Sequence, residues 1–294
     1  MAANDVARET EVMDVVRQAR ACSRSLRLLP GPQKNACLQA FGAALVEGGE
    51  GVLRASRDDA GHARAHGASA GVVQAIALSR ADLEAKARLA ATLAGLPEPV
   101  GRVESTWIRP NGLKIEKTRV PLGVVAVLAE YDVRAVVDAL LLCTKAGDAV
   151  VLSAGPMIFR TCRAVVRALA AAALPGAGPA GPVYLIPGHD EASRRALVAR
   201  QGGVDVALPV GSPAWTDSIA AEARVPVLGQ TCRRHHAYVD EDADPAMAVA
   251  VIADMVPTDP CGEGPNHVLI HRAAAARLVP VIAGALLEKT IPFS

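Results

Sequence analysis

The chain has 294 residues, with 31 Lys and Arg against 30 Asp and Glu and a formal net charge of +1. This length suffices for one large domain or two of ordinary size, and the balanced charge argues against a nucleic-acid or membrane-surface partner. Hydrophobic residues make up 51% of the chain but aromatic residues only 3%. Such a composition favours helices of small aliphatic residues packed on a buried parallel sheet.

The amino terminus and the cysteines predict a cytoplasmic protein. The first residues, "MAANDVARETEVMDVV", carry early acids and lack the apolar core of a signal peptide, and no uninterrupted apolar run reaches the roughly 18 residues of a membrane span. The six cysteines are widely spaced and none forms a CxxC pair. This pattern indicates free thiols in a reducing compartment and argues against a zinc site or a disulfide framework.

Helical periodicity runs through residues 5–95, with Ser79 as a candidate N-cap and Gly95 as a candidate helix end. The period changes at 103–120, where two polar strands flank Pro110-Asn111-Gly112. A proline and an Asn-Gly pair between two such strands are a strong hairpin signal. The sequence therefore predicts a helical lead-in followed by a hairpin.

From residue 121 onward, strands alternate with helices. The predicted strands are "GVVAVLAE", "AVVLSAG", "GPVYLIPG", "VDVALPVG" and "VPVLGQ". Alternation of this kind predicts right-handed crossovers and a parallel sheet, and such sheets bind ligands at the carboxyl ends of their strands. The candidate ligand loops are therefore 129–134, 153–157, 187–190, 210–213 and 229–235.

A further strand and helix, "HHAYVDEDADPAMAVAVIADM", precede a loop that contains Cys261, a last strand and a final helix. Cys261 is either a nucleophile presented by the loop or a packed thiol. Carboxylates at Asp259 and Glu263 would raise the pKa of the thiol, although Glu263 could also serve as a base. His267 and His271 lie about 13 Å apart on one strand face, too far for one metal ion, so we predict no metal site.

Several segments in order resemble the γ-glutamyl phosphate reductase family of the aldehyde dehydrogenase superfamily. They are "VPLGVVAVLAE", "VVDALLLCTKAGDAVVLSAG" and "HAYVDEDAD" with a cysteine loop beyond, and the resemblance covers nearly all of residues 10–290. It implies an aldehyde dehydrogenase-like α/β fold. Residues 1–255 would form the helical lead-in and a parallel-sheet dinucleotide-binding domain, and 256–294 a truncated catalytic lobe. The hairpin 103–120 would mediate homo-oligomer contacts.

The resemblance also implies a chemistry, in which the Cys261 thiolate attacks an acyl phosphate and the resulting thioester is reduced to an aldehyde. The cofactor would be NADP(H), with NAD as the alternative, and the product glutamate 5-semialdehyde would serve proline biosynthesis. Glu130 would organise the active-site loop, and Arg134 would act as oxyanion donor or substrate clamp. The cofactor groove would be lined by Ser153, Gly155, Gly211 and Ser212.

The chain departs from the family pattern at several of these positions. Asp132 stands where the family has arginine, Arg134 where it has asparagine, and Pro156 where it has lysine. An ungapped count back from "VLIH" also puts Gly262 at the nucleophile's place. These departures leave two alternatives open. One is a reductase-like pseudoenzyme that assembles with a full-length reductase or glutamate kinase, and the other is an aldehyde dehydrogenase-like oxidoreductase with another substrate.

Overall fold

The computed structural model describes residues 2–171, 181–199, 203–229, 236–254 and 267–288. The chain forms two compact units, Met1–Gly229 and Gln230–Ser294. This boundary lies earlier than the predicted one at 255/256. The reason is that residues 236–254 pair and pack with residues 267–288. Together the two segments form a separate small sheet with its own core.

The helical lead-in comprises α1 (Ala2–Leu26), α2 (Gly31–Glu47), α3 (Gly49–Ala65), α4 (Ala70–Ile76) and α5 (Arg80–Gly95). Ser79 caps α5 through a capping box, in which its side chain accepts from Asp82 N while the Asp82 carboxylate accepts from Ser79 N. The predicted N-cap and helix end are confirmed.

The predicted hairpin is also present, as β1 (Val103–Ile108) and β2 (Lys114–Thr118) in antiparallel pairing. Gly112 in the turn has φ of +85°, a conformation that other residues seldom adopt. Arg109 N donates to Leu113 O at 2.9 Å and closes the turn. Most residues of both strands are exposed.

The remainder of the first unit alternates strand and helix as predicted. Its elements are β3 (Val124–Ala129), α6 (Val133–Ala146), β4 (Ala149–Ala154), α7 (Phe159–Ala171), β5 (Val183–Leu185), α8 (Glu191–Val198), β6 (Val206–Val210) and α9 (Pro213–Glu222). The four strands are parallel, in the order β5-β4-β3-β6. The predicted fifth strand, "VPVLGQ", forms a single parallel bridge between Val227 and Ala207 beside β6.

The central strands are covered on both faces, which explains their unbroken apolar sequences. Every residue of β3 and β4 is buried. Val124, Ala126 and Leu128 of β3 share a core cluster with residues of α1 such as Val12 and Val16. Because side chains alternate along a strand, the intervening residues of β3 are buried on the opposite face. Burial on both faces is typical of parallel sheets.

The second unit contains β7 (His236–Val239), α10 (Pro245–Asp254), β8 (His267–Ile270) and α11 (Ala275–Glu288). The two strands pair in parallel, and their core includes Val239, Ile252, Leu278 and Ile282. Among the described residues of both units, no helix combines the length and apolar character needed to cross a membrane.

Candidate functional site

The carboxyl edge of the four-stranded sheet contains a topological switch point. The chain runs outward from β3 to β4 and β5, and then returns to the other side of β3 to form β6. The loops after β3 and β6 therefore separate towards opposite sides of the sheet, and ligands of open α/β sheets bind in the crevice at such a point. Glu130 follows β3 there, and its backbone N–H donates to Val210 O at 2.9 Å.

The Glu130 side chain joins the two loops at this switch point. Its Oε2 accepts hydrogen bonds from Ser212 N at 2.7 Å and from Ser212 Oγ at 2.8 Å. Hydrogen bonds to a carboxylate are stronger than neutral ones. Glu130 therefore holds the turn between β6 and α9 against the end of β3.

Two glycines allow Glu130 to sit at this position. A Cβ on Gly155 would lie 2.4 Å from Glu130 O, and one on Gly211 would lie 2.6 Å from the Glu130 side chain and 2.8 Å from Trp215. These separations are shorter than any ordinary van der Waals contact, so a larger residue requires the edge to shift. Both glycines, which were predicted to line a cofactor groove, thus have a packing role around Glu130.

Ser153 lies farther from the loops than its sequence position suggested. It is inside β4, pairs with Leu128 in the register of the sheet, and is buried. The turn after β4 begins only at Gly155, whose N–H donates to Ala129 O at 2.7 Å. The structure therefore brings together Glu130, Gly155 and the Gly211-Ser212 turn, and leaves Ser153 within the strand.

The helix starts at this edge differ in how they are capped. A carboxylate accepts a hydrogen bond from the first-turn backbone of three sheet helices: Asp132 caps α6, Asp59 of α3 caps α7, and Asp190 caps α8. Ser212 at the start of α9 donates its hydroxyl to Glu130 and accepts no cap hydrogen bond from the helix. Pro213 has no N–H, so among the described sheet helices α9 retains uncapped N–H groups at Ala214 and Trp215, which suit a phosphate.

These caps include a residue that sequence reasoning missed. Asp59 of α3 is fully buried, and its Oδ2 accepts from Thr161 N at 2.8 Å and Thr161 Oγ1 at 2.7 Å, across 102 residues of sequence. No local pattern signals a cap supplied from so far away. The departure at Asp132 also acquires an explanation, because its carboxylate caps the helix that follows.

Arg134 does not face an open site. Its Nε and Nη2 donate to the Asp82 carboxylate, and its Nη1 and Nη2 donate to the carbonyls of Gln74, Ala75 and Ala77. These five contacts match the five N–H groups of a guanidinium. The structure therefore gives Arg134 the role of a clamp between α6 and the α4–α5 connection, in place of the predicted oxyanion or substrate contact.

The hydrogen bonds from Arg134 also affect the pKa of Asp82. Partial burial of Asp82 opposes ionisation, but hydrogen bonds from Arg134 and Ser79 outweigh it and lower the pKa of Asp82 to about 2. The carboxylate is thus ionised at neutral pH, and the ion pair with Arg134 persists over the physiological range.

Cys261 lies outside the described residues, as do Asp259, Gly262 and Glu263, so its predicted role stays a prediction. Four other cysteines are described, and all are buried thiols outside any disulfide: Cys22, Cys37, Cys143 and Cys162. Burial raises the pKa of each thiol, to about 12 for Cys37 and Cys143. Because the thiolate is the nucleophile, this burial disfavours the reactive form of all four.

Three histidines of the second unit are described, and two of them lie side by side. His267 at the start of β8 lies beside His236 of β7, with ring centroids 5.1 Å apart. His271 follows β8, and its Nδ1 lies 3.7 Å from the Glu241 carboxylate. Across the described ranges, no three potential ligand side chains are placed to hold a metal ion.

Sequence comparison agrees with the fold. A family model described as the aldehyde dehydrogenase family matches residues 1–259. The chain belongs to the aldehyde dehydrogenase family.

Within that family, its similarity is to γ-glutamyl phosphate reductases, as the sequence resemblance predicted. It is 39% identical to the γ-glutamyl phosphate reductase of Rhodopseudomonas palustris over 280 residues, which covers 93% of this chain and 64% of the relative. With the reductase of Rhodospirillum rubrum, identity is 35% over 293 residues, covering 97% and 68%.

The crystal structure of γ-glutamyl phosphate reductase from Thermotoga maritima superposes with a TM-score of 0.82 at 26% identity, covering 95% of this chain and 67% of that one. The predicted α/β fold is thereby confirmed. The chain spans 64% of the length of the first curated relative that it matches.

Proposed function

We propose that this chain catalyses NADP(H)-dependent reduction of an acyl phosphate to an aldehyde in the cytoplasm. The proposed substrate is γ-glutamyl phosphate and the product glutamate 5-semialdehyde, in proline biosynthesis. The relatives' names support the substrate class. The observation that carries the proposal is the carboxyl edge at the switch point, where Glu130 holds the Gly211-Ser212 turn beside the uncapped start of α9.

The described residues fit a dinucleotide at this edge. When bound, the cofactor supplies the hydride for the reduction. The N–H groups of Ala214 and Trp215 in the first turn of α9 would hold one of its phosphates, because a helix N-terminus carries partial positive charge. Both donors of Ser212 go to Glu130, which would keep the Gly211-Ser212 turn in place beside that helix start. We favour NADP over NAD on the family resemblance alone.

The covalent step is assigned to Cys261. Its thiolate would attack the carbonyl carbon of the acyl phosphate, forming a C–S bond as the C–O bond breaks and inorganic phosphate leaves. Such a thioester divides a difficult reduction into two easier steps. Arg134 takes no part, because its N–H groups are already used within the protein.

The decisive test is the reverse reaction, in which glutamate 5-semialdehyde is oxidised with NADP⁺ in a phosphate-dependent manner and NADPH absorbance is followed. We expect Cys261→Ala to lose activity by about a thousandfold or more. Cys232→Ala, a matched change at the other cysteine outside the described residues, should retain activity. Equal rates for Cys261→Ala and the wild-type chain would exclude the assigned nucleophile.

Alkylation gives an independent measurement of the same thiol. With iodoacetamide at neutral pH and detection by mass spectrometry, Cys261 should react first. Cys143 and Cys162 should react last, because burial raises the pKa of both thiols. A Cys261 that reacts no faster than these two buried residues would contradict a catalytic thiolate.

A second candidate function is that of a non-catalytic partner. One observation favours it: Arg134 serves as a structural clamp. In this proposal the chain assembles with itself, with a full-length reductase or with glutamate kinase. The exposed apolar side chains of Trp107, Ile108 and Leu113 on the hairpin would contribute to the contact.

Cofactor binding separates the two candidates. Calorimetric titration with NADPH should show saturable binding if the chain is an enzyme. Failure to bind at millimolar NADPH, together with co-elution with a purified γ-glutamyl phosphate reductase in size-exclusion chromatography, would favour the partner.

A further inference from the structure

A cleft of about 440 Å³ lies between α3 and α7, and four arginines line it. Arg54 is on α3, and Arg160, Arg163 and Arg167 are on α7. None of the residues that line the cleft belongs to the switch-point edge around Glu130. Its volume is in the range of small-molecule sites.

The positive charge of this cleft is only partly balanced by carboxylates. One carboxylate, Asp58, lines the cleft. Arg160 pairs with the buried Asp59 at 3.1 Å, and Arg163 lies over the Phe159 ring at 5.9 Å. In the described part of the chain, Arg54 and Arg167 form no ion pair. Like charges three and four residues apart on a helix repel one another, and a bound anion would relieve that repulsion.

The side of the cleft formed by α3 is not filled by bulky side chains. Gly48, which is both the C-cap of α2 and the N-cap of α3, lines the cleft together with Gly51. The negative end of the α2 dipole and the positive end of the α3 dipole meet at Gly48 and offset one another, so the positive charge of the cleft comes from its arginines. A Cβ on Gly51 would meet no atom within 4 Å, so the side of the cleft at this residue is open to a ligand.

The spacing of the arginines indicates the kind of anion. Arg167 follows Arg160 by seven positions, so their backbones lie about 10 Å apart along the helix axis. Arginines spread over that length, with Arg54 on the facing helix, match a chain of phosphates better than a single phosphate. Guanidinium groups also match phosphate oxygens bidentately. We propose that this cleft binds a small molecule that carries a di- or triphosphate group, at a site separate from the cofactor edge.

The proposal is tested by titrating the full chain with sodium tripolyphosphate in a calorimeter at constant ionic strength. We expect saturable binding with one site per chain. Orthophosphate should bind about tenfold more weakly or less, because it reaches fewer of the four arginines. Failure of tripolyphosphate to saturate at millimolar concentration would overturn the proposal.

Charge-removing variants locate the site. Arg163→Gln and Arg167→Gln should each weaken tripolyphosphate binding about tenfold, the loss expected for one charge-assisted contact. Arg54→Gln tests the opposite wall, so the proposal remains testable if a change on α7 disturbs folding. Arg57→Gln is the matched control, since Arg57 lies on α3 but does not line the cleft, and it should change the affinity less than twofold.

Competition distinguishes this cleft from the cofactor edge. Saturating NADPH should leave tripolyphosphate affinity unchanged if the two sites are separate. Displacement by NADPH, or an Arg57→Gln effect as large as that of Arg163→Gln, would show that the anion binds at the cofactor edge or through general charge alone. Because the readout is binding, its failure leaves the proposed reductase activity untouched.

Discussion

The central sheet and the hairpin of the first unit have contrasting environments. All six residues of β3 are buried, whereas five of the six residues of β1 are exposed. The sheet is covered on both faces by helices of its own chain, while the hairpin lacks such cover in the described structure. An isolated two-stranded hairpin is only marginally stable in water. The buried sheet therefore contributes most of the folding stability, and the exposed hairpin is suited to contact another molecule.

The largest effect is expected at the centre of the sheet. Leu128 is 0% exposed, and Leu128→Ala should lower the free energy of unfolding by about 2–5 kcal/mol through lost burial and a cavity. Leu113→Ala, the same change on the 57% exposed hairpin residue, should stay within about 0.5 kcal/mol. Urea unfolding followed by circular dichroism measures both variants. Similar losses of unfolding free energy would contradict the contrast between the sheet and the hairpin.

The buried carboxylate of Asp148, directly before β4, should make the free energy of unfolding depend on pH. Burial raises the pKa of Asp148 to about 6 from 3.8, although its carboxylate accepts from Gly123 N at 2.8 Å. The folded chain therefore binds a proton more tightly than the unfolded chain. The contribution of Asp148 to the free energy of unfolding is present below about pH 4 and is lost as the pH rises to about 6, by at most about 3 kcal/mol.

Asp148→Asn should remove this slope when unfolding is measured between pH 4 and 6. Glu104 on the hairpin is the control. Hydrogen bonds from Lys117 and Arg119 lower the pKa of Glu104 below 4.5, so any stability that it contributes is lost only in more acidic solution. Glu104→Gln should leave the slope between pH 5 and 6 intact. A slope that survives Asp148→Asn would assign it to another group.

A smaller loss is expected when the Arg134 clamp is weakened. Arg134→Lys keeps the charge but loses the planar set of donors, and it should lower the free energy of unfolding by about 1–2 kcal/mol, because partly buried acceptors on Asp82 and Ala75 lose their partners; thermal unfolding measures the loss. Arg109→Lys in the exposed hairpin turn should have little effect. Unchanged stability of Arg134→Lys combined with a lower kcat would instead restore the oxyanion role.

The smallest effect on stability is expected on the hairpin itself. Trp107 and Ile108 are 51% and 74% exposed, so replacing both by serine should change the unfolding free energy of a single chain by about 0.5 kcal/mol or less. Light scattering after size-exclusion chromatography should nevertheless show loss of self-association. A variant that associates as strongly as the wild-type chain would place the contact elsewhere.

Features that depend on neighbouring residues were predictable. The hairpin at Pro110-Asn111-Gly112, the Ser79 cap and the alternation of four strands with helices all arise from residues within a turn or two of each other. Their chemistry acts locally, through φ preference, capping and periodicity.

The sequence by itself thus determined the elements, their class of sheet and the edge at which a site would form. Only the tertiary structure decided what the side chains at that edge do. Ser212 bonds Glu130 across 82 residues, and Arg134 bonds Asp82 across 52. Donors such as arginine and serine are equally able to bind a ligand or another part of the chain. Which of these they do depends on which acceptors folding brings within hydrogen-bond distance, and local sequence carries no record of that distance.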